Sequence, residues 1–289
     1  MTSVRRRGHA KLNVVLRVLG RRDDGFHDIE TLILPLELHD VVTVGPADGL
    51  EVTVSGARAA ELSRAGGDTL AAAAGRALAD ACRLGHPHGA TIRIDKHIPV
   101  GAGLGGGSAD AAATLLALRD LWACDVEDDM LTTLGATLGS DVPALMRAEP
   151  VFCTGRGEVV HPAHAQTTYW VVRPFPFAIR AADAYTWWDE DGAETGPDPG
   201  ALVAAVESGN DELTGHALSN DLQAPVLRRH PEVAAVREAL LDAGALGAIV
   251  SGSGPTVVAL ARHLGHADRL AEAVGGSFVT SGPPRTMTA

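Results

Sequence analysis

The chain has 289 residues, 46% hydrophobic, 21% charged and 4% aromatic, a globular profile long enough for one large domain or two ordinary ones. Its formal net charge of -12 argues against broad nucleic-acid binding, which needs a basic face, but leaves room for a small anion met by a few placed cations. No apolar run is long enough to span a membrane, and the opening MTSVRRRGHAKLN lacks the apolar stretch of a secretory signal, so no membrane partner is expected. Cys82, Cys124 and Cys153 are odd in number and scattered; they predict neither a metal site nor a disulfide framework, and so a reducing cytoplasm. Of 24 Lys plus Arg, only Lys11 and Lys96 are lysine, which marks both in an arginine-rich chain.

In chain order, HAKLNVVLRVL (9–19) alternates and is rich in aliphatic residues, the pattern of a strand. A charged turn around Asp24 and Gly25 follows, then a strand, a break at Pro35, and another strand ending near Gly45-Pro46. Residues 49–56 read as a short strand. Residues 69–85 read as an Ala-rich helix capped by Asp68 and stopped by Gly85. A strand at 90–100 ends at Pro99, just before a glycine loop, and a helix follows from Ser108 to Ala123. Helical spacing continues to Arg147 with an interruption at Gly139, and PVFCTGRGEVVHPA reads as a hairpin. The second half gives a strand at YWVVRPFPF, a helix around Tyr185, helices at GALVAAVESG and EVAAVREALLDAGA, a strand-turn-strand at LGAIVSGSGPTVVALA, a helix at ADRLAEAVGG and a last strand at SFVTSGPPR. Hairpin-like strands mixed with helices predict an α+β fold in two lobes, divided as residues 1–160 and 161–289.

The loop GAGLGGGS nearly spells the phosphate-binding pattern G-x-x-x-x-G-K-[ST]. Gly101, Gly106 and Ser108 occupy the required places, but Gly107 stands where the lysine belongs. Gly101-x-Gly103-x-x-Gly106 also matches a dinucleotide fingerprint, with Glu127 and Asp128 downstream. That reading fails because the acidic pair lies in a link between helices, not at the end of a second strand. What remains is a strand, a glycine turn and a helix mouth, whose amides and dipole favour an anion. Gly107 is expected to be glycine because backbone passes close to it, and Ser108 either caps the helix or meets a metal-bound phosphate. The missing charge is expected from Lys96, from Lys11 and from Mg2+ arriving with ATP. By spacing alone, Asp141 before Val142-Pro143 reads as a helix cap, and His27 beside Phe26 as a surface histidine.

Three separated segments carry a family resemblance. PVGAGLGGGSADAAA resembles the phosphate loop of the galactokinase, homoserine kinase, mevalonate kinase and phosphomevalonate kinase superfamily, and VSGSGPT resembles its C-terminal glycine motif. AKLNVVLRVLGRRDDGFHDIETL and LGSDVP resemble the branch that phosphorylates a cytidylated methylerythritol in non-mevalonate isoprenoid synthesis. The resemblance implies a two-lobed small-molecule kinase fold with its active site between the lobes, and ATP-dependent transfer to the tertiary 2-hydroxyl. A sister kinase acting on homoserine or mevalonate, and a non-catalytic nucleotide-binding protein, are the alternatives.

The same resemblance implies Lys11 and Asp141 as the catalytic pair, which overrides the cap reading of Asp141. It implies ATP contacts from Lys96, Pro99, Gly101, Gly103, Leu104, Gly105, Gly106, Gly107, Ser108 and Ala109, with Mg2+ ligands not assignable. It implies substrate contacts from Asn13, Phe26, His27, Tyr185, Gly252 and Ser253, with Phe26 replacing a usual tyrosine, and Arg180-Ala181 and Thr69-Leu70 departing from the family pattern. The partner implied by the resemblance is a small cytidine diphosphate substrate, and the expected assembly is a monomer or homodimer.

Overall fold

The structure, a computed structural model, describes residues 3–64, 69–82 and 89–284. The chain runs through β1 (Val4–Arg21), β2 (His27–Ala47), β3 (Leu50–Ser55), α1 (Ala59–Arg64), α2 (Leu70–Ala81), β4 (Gly89–Asp95), α3 (Gly106–Trp122), α4 (Asp128–Leu138) and α5 (Val142–Arg147). It continues with β5 (Val151–Thr154), β6 (Val159–Pro162), β7 (Thr168–Arg173), α6 (Ala181–Glu190), α7 (Gly200–Ser208), α8 (Asp211–Ala217) and β8 (Ser219–Asn220). It closes with α9 (Gln223–Arg229), α10 (Pro231–Asp242), β9 (Gly247–Val250), β10 (Val257–Ala261), α11 (Leu264–Ala273) and β11 (Phe278–Gly282).

Packing divides the chain differently from a single cut after residue 160. One unit holds Met1–Ala10, Leu38–Val100 and Gly105–Ala148; the other holds Lys11–Glu37, Gly101–Leu104 and Glu149–Ala289. Both long strands, β1 and β2, therefore pass from one unit to the other, and so does the glycine loop.

In the first unit, β4 pairs antiparallel with the Val41–Ala47 stretch of β2 and parallel with β3. Burial along β3 alternates, as it must for a strand with one wet face. The Ala-rich helix α2 lies against α3. Its Gly75 sits so close to the sheet that an added Cβ would stand 3.0 Å from Leu50 and 3.3 Å from Ile92. In the second unit, β11-β7-β10-β9 form an antiparallel sheet. Leu16, Ile29, Val171, Trp188, Val226 and Val257 belong to one buried core beside it. The β5–β6 hairpin pairs with Thr31–Ile33 of β2, and β8 pairs parallel with β1 at Val15 and Leu16.

Several expectations are corrected. The break at Pro35 is absent: β2 is one strand of 21 residues. Pro35 lies between the register with β5 (31–33) and that with β4 (41–47), so its missing N–H costs neither ladder a bond. The cap of α2 is Thr69, whose hydroxyl accepts from Ala72 N at 3.2 Å; Asp68 and Gly85 lie outside the described residues. The helices α1, α8 and α9 went unread because each is only six or seven residues long. Cys82 and Cys124 form a disulfide with Cα atoms 5.7 Å apart, contrary to the expected absence of one. It joins the C-terminal ends of α2 and α3, a pairing that scattered positions do not announce.

Candidate active site

In the second unit, three motifs far apart in sequence meet at one glycine. Gly252 (φ 54°) turns so tightly that a Cβ there would lie 3.0 Å from Lys11 Nζ, 3.1 Å from Asn13 Oδ1 and 3.3 Å from the Gly103 carbonyl. Lys11 and Asn13 alternate on β1 and so project the same way. Lys11 is 5% exposed and donates from Nζ to Asn13 Oδ1 at 2.5 Å. Asn13 Nδ2 donates to Thr31 Oγ1 at 2.8 Å, and Thr31 in turn donates to the Val15 carbonyl at 2.6 Å, which fixes the amide orientation. The Lys11 backbone N–H donates to the Leu104 carbonyl at 3.0 Å, fastening β1 to the glycine loop. Gly103 (φ 76°) runs so close to the 251–256 turn that a Cβ would stand 2.2 Å from the Ser251 carbonyl, and Ser251 Oγ donates to the Gly103 carbonyl. Asn220 Nδ2 holds the turn through the Val250 and Gly252 carbonyls at 2.8 and 2.7 Å. Ser253 is half-buried in this turn, and Gly101 (φ 66°) abuts Ala178.

The end of the same unit bearing His27 is aromatic. His27 is the first residue of β2 and is buried, not a surface histidine. Its ring stacks on Tyr185 (centroids 4.8 Å, 19° apart) and meets Trp188 edge-on at 5.9 Å. Phe26 is 51% exposed, with the Arg156 guanidinium 4.6 Å over its ring. Arg180, at the start of α6, gives no capping bond and instead pairs with Asp183 at 2.6 and 2.8 Å.

In the first unit, the helix mouth differs from expectation. The helix α3 begins at Gly106, two residues earlier than read, and Gly105 (φ 71°) caps it with no side chain. Ser108 is therefore the third helical residue and not the cap. The cap therefore gives the first-turn N–H groups no side-chain acceptor, which leaves them suited to an anion. A Cβ on Gly107 would meet only Leu70 at 3.7 Å, an ordinary contact, so close backbone is not why Gly107 is glycine. The tight place is Gly106, where a Cβ would lie 3.1 Å from both Ile98 and Lys96 Nζ. Pro99, Leu104 and Ala109 are buried.

Lys96 is likewise placed differently from the expectation. It is 2% exposed, and its ammonium lies 2.5 Å from Asp40 Oδ2 and 2.7 Å from Asp110 Oδ2. Asp40 Oδ1 also accepts the backbone N–H of His97 and Ile98 at 2.6 and 2.8 Å. The charge of Lys96 thus ties the end of β4 to β2 and to the first turns of α3, and is directed at these carboxylates. Asp110 Oδ1 is buried without a hydrogen-bond partner. Burial pushes the Asp110 carboxyl up to about 7; the ammonium of Lys96 opposes this and the charge of Asp40 reinforces it. With a proton on Asp110, the buried trio is neutral, which is why the fold tolerates two carboxyls on one lysine.

Asp141 stands at the N-cap position of α5 with Pro143 in the first turn, as the spacing reads, but its side chain makes no capping bond. A Cβ on Gly139, two residues before Asp141, would lie 3.6 Å from Ser108 Oγ, so this turn and the α3 mouth are neighbours. Glu127 and Asp128 open α4, not a strand end, in keeping with the rejected dinucleotide reading. Among the described residues no group of three or more His, Cys, Asp or Glu could hold a metal ion, and no helix is long and apolar enough to cross a membrane. The sequence reading missed Asp40, Asp110, Thr31 and Asn220 as partners; only Asp110, inside the glycine motif itself, carried a signal.

Comparison with known proteins defines the class first. The GHMP kinases N terminal domain matches residues 68–149, and the GHMP kinases C terminal matches residues 202–280. A homoserine kinase structure from Cytophaga hutchinsonii shares this fold at 20% identity, with a TM-score of 0.73 over 98% of this chain and 95% of that one. Nearer in sequence, the 4-diphosphocytidyl-2-C-methyl-D-erythritol kinase of Symbiobacterium thermophilum is 42% identical over 86% of this chain and 88% of its own. A crystal structure of 4-(cytidine 5'-diphospho)-2C-methyl-D-erythritol kinase superposes with a TM-score of 0.79 at 33% identity, covering 96% and 98% of the two chains. The chain belongs to this kinase family within the GHMP kinases.

Proposed function

We propose that the chain transfers the γ-phosphoryl group of ATP to the tertiary 2-hydroxyl of 4-diphosphocytidyl-2-C-methyl-D-erythritol. The observation that carries the reading is the junction at Gly252, where Lys11, Asn13 and the glycine loop come together. In the transfer, a bond forms between the substrate oxygen and the γ-phosphorus, the bond from that phosphorus to the departing ADP breaks, and the hydroxyl proton goes to Asp141. A tertiary alcohol is a weak and crowded nucleophile, so orientation and proton acceptance matter; general-base assistance is worth about 10²–10⁴-fold. Lys11 offsets charge on the transferring group, and the amides at the mouth of α3 hold the phosphates. Asn13 holds the polyol, while Phe26 and Tyr185 offer flat faces to the pyrimidine.

The donors present fit Mg2+ only in part: one hydroxyl, Ser108, beside the Gly139–Asp141 turn, suits a hard cation that brings its other oxygens from phosphate and water. When bound, the ion neutralises phosphate charge, and Ser108 would hold it. A kinase assay comparing the cytidylated polyol with homoserine and mevalonate tests the reading; phosphorylation of either competitor in preference overturns it. Asp141→Ala should nearly abolish turnover while ATP binding, measured by calorimetry, survives; unimpaired turnover removes Asp141 from its role.

A further inference from the structure

The helix α6 addresses the His27 ring in two ways at once. Tyr185 and Asp189 are four residues apart and share one face of that helix. Tyr185 covers the plane of the ring, and Asp189 Oδ1 lies 2.9 Å from its edge nitrogen Nε2. The Arg21 guanidinium stands 3.8 Å from the other Asp189 oxygen, and Trp188 closes a second side of the ring. The His27 side chain is 6% exposed, so this arrangement sets which way the imidazole turns.

We propose that Asp189 is a positioning residue that makes His27 select an amino-bearing pyrimidine over its keto counterpart, an inference that rests on the cytidylated substrate proposed above. A carboxylate only accepts hydrogen bonds, so Nε2 carries the hydrogen in this pair. In the neutral ring the proton is then absent from Nδ1, which becomes an in-plane acceptor. An acceptor pairs with the exocyclic amino group of cytosine and repels the carbonyl that uracil has at the same place. The discrimination therefore originates at position 189, in a side chain that need not touch the base.

The test pairs spectroscopy with binding. In wild-type protein, 15N shifts of the His27 ring should report hydrogen on Nε2, and cytidine diphosphate should bind at least tenfold more tightly than uridine diphosphate. In Asp189→Asn, the amide can donate to Nε2 and release the opposite tautomer. The hydrogen should move to Nδ1, the preference should shrink at least tenfold, and the KM for ATP should stay unchanged. Asp189→Glu, which retains a carboxylate, should recover part of the preference if it reaches the ring. Hydrogen on Nδ1 in the wild type, or an unchanged preference in Asp189→Asn protein of wild-type Tm, overturns the proposal. The nitrogen shifts decide the part played by Asp189 even if the chain phosphorylates no cytidylated polyol, so the two readings fail separately.

Discussion

The two lysines of this chain are both buried, yet their surroundings differ in kind. Lys96 sits between two carboxylates, one of which also gathers two backbone amides, and its charge organises the end of a strand and the start of a helix. Lys11 donates to a neutral amide oxygen and stands at the meeting of three chain segments around Gly252. The ammonium of Lys96 thus serves as a strut in one unit, while that of Lys11 is the one proposed as a reagent in the other.

The sharpest way to break this comparison is to remove each charge in turn. Lys11→Met should lower kcat about 10²–10³-fold, the usual cost of one missing transition-state donor. Its Tm should change little. Lys96→Met should do the reverse first: it strands two buried carboxyls and should cost about 3–5 kcal/mol of stability by denaturant titration. A double variant adding Asp110→Asn should regain part of that loss. If Lys96→Met folds as stably as wild type and loses only turnover, the strut description is wrong.

A smaller effect is expected at the junction. Gly252→Ala puts a Cβ beside the Lys11 ammonium and forces an L-residue to hold φ 54°, strain of about 1–2 kcal/mol. Roughly tenfold lower activity with intact ATP binding should follow, and a silent variant would show that Lys11 has room to move.

The smallest effect concerns pH. Asp110 releases its proton near 7 in the fold, against an ordinary value of 3.8, so the folded chain holds a proton that the unfolded chain has lost. The resulting stabilisation is complete below pH 3.8 and disappears as pH rises through about 7. Asp110→Asn should flatten the fall in Tm between pH 5.5 and 8 by a few degrees. An unchanged slope would place the titrating group elsewhere.

Much of the fold was readable from periodicity, because long strands and Ala-rich helices repeat their pattern over many residues. The site was readable in pieces: Lys11, Asn13, Gly103 and Gly252 were each marked by motif, and Lys11 was expected near the glycine loop, although the contacts that hold them at Gly252 were not. What escaped depended on partners remote in sequence. Asp40 is 56 residues from Lys96, and Asp189 is 162 residues from His27; no local pattern records either pairing. The start of α3 was misread because Ser108 has the chemistry of a cap, whereas the structure uses a left-handed glycine three residues before it.

The disulfide between Cys82 and Cys124 spans 42 residues and encloses β4, the glycine loop and α3 in one covalent ring. Closing a ring of that length restricts the unfolded chain, worth about 4 kcal/mol in the chain-entropy view. It also changes how the loop would fail. A protease that nicked the exposed glycines at 101 or 107 would cut the backbone without parting the molecule. The two pieces would migrate as one band until a thiol was added.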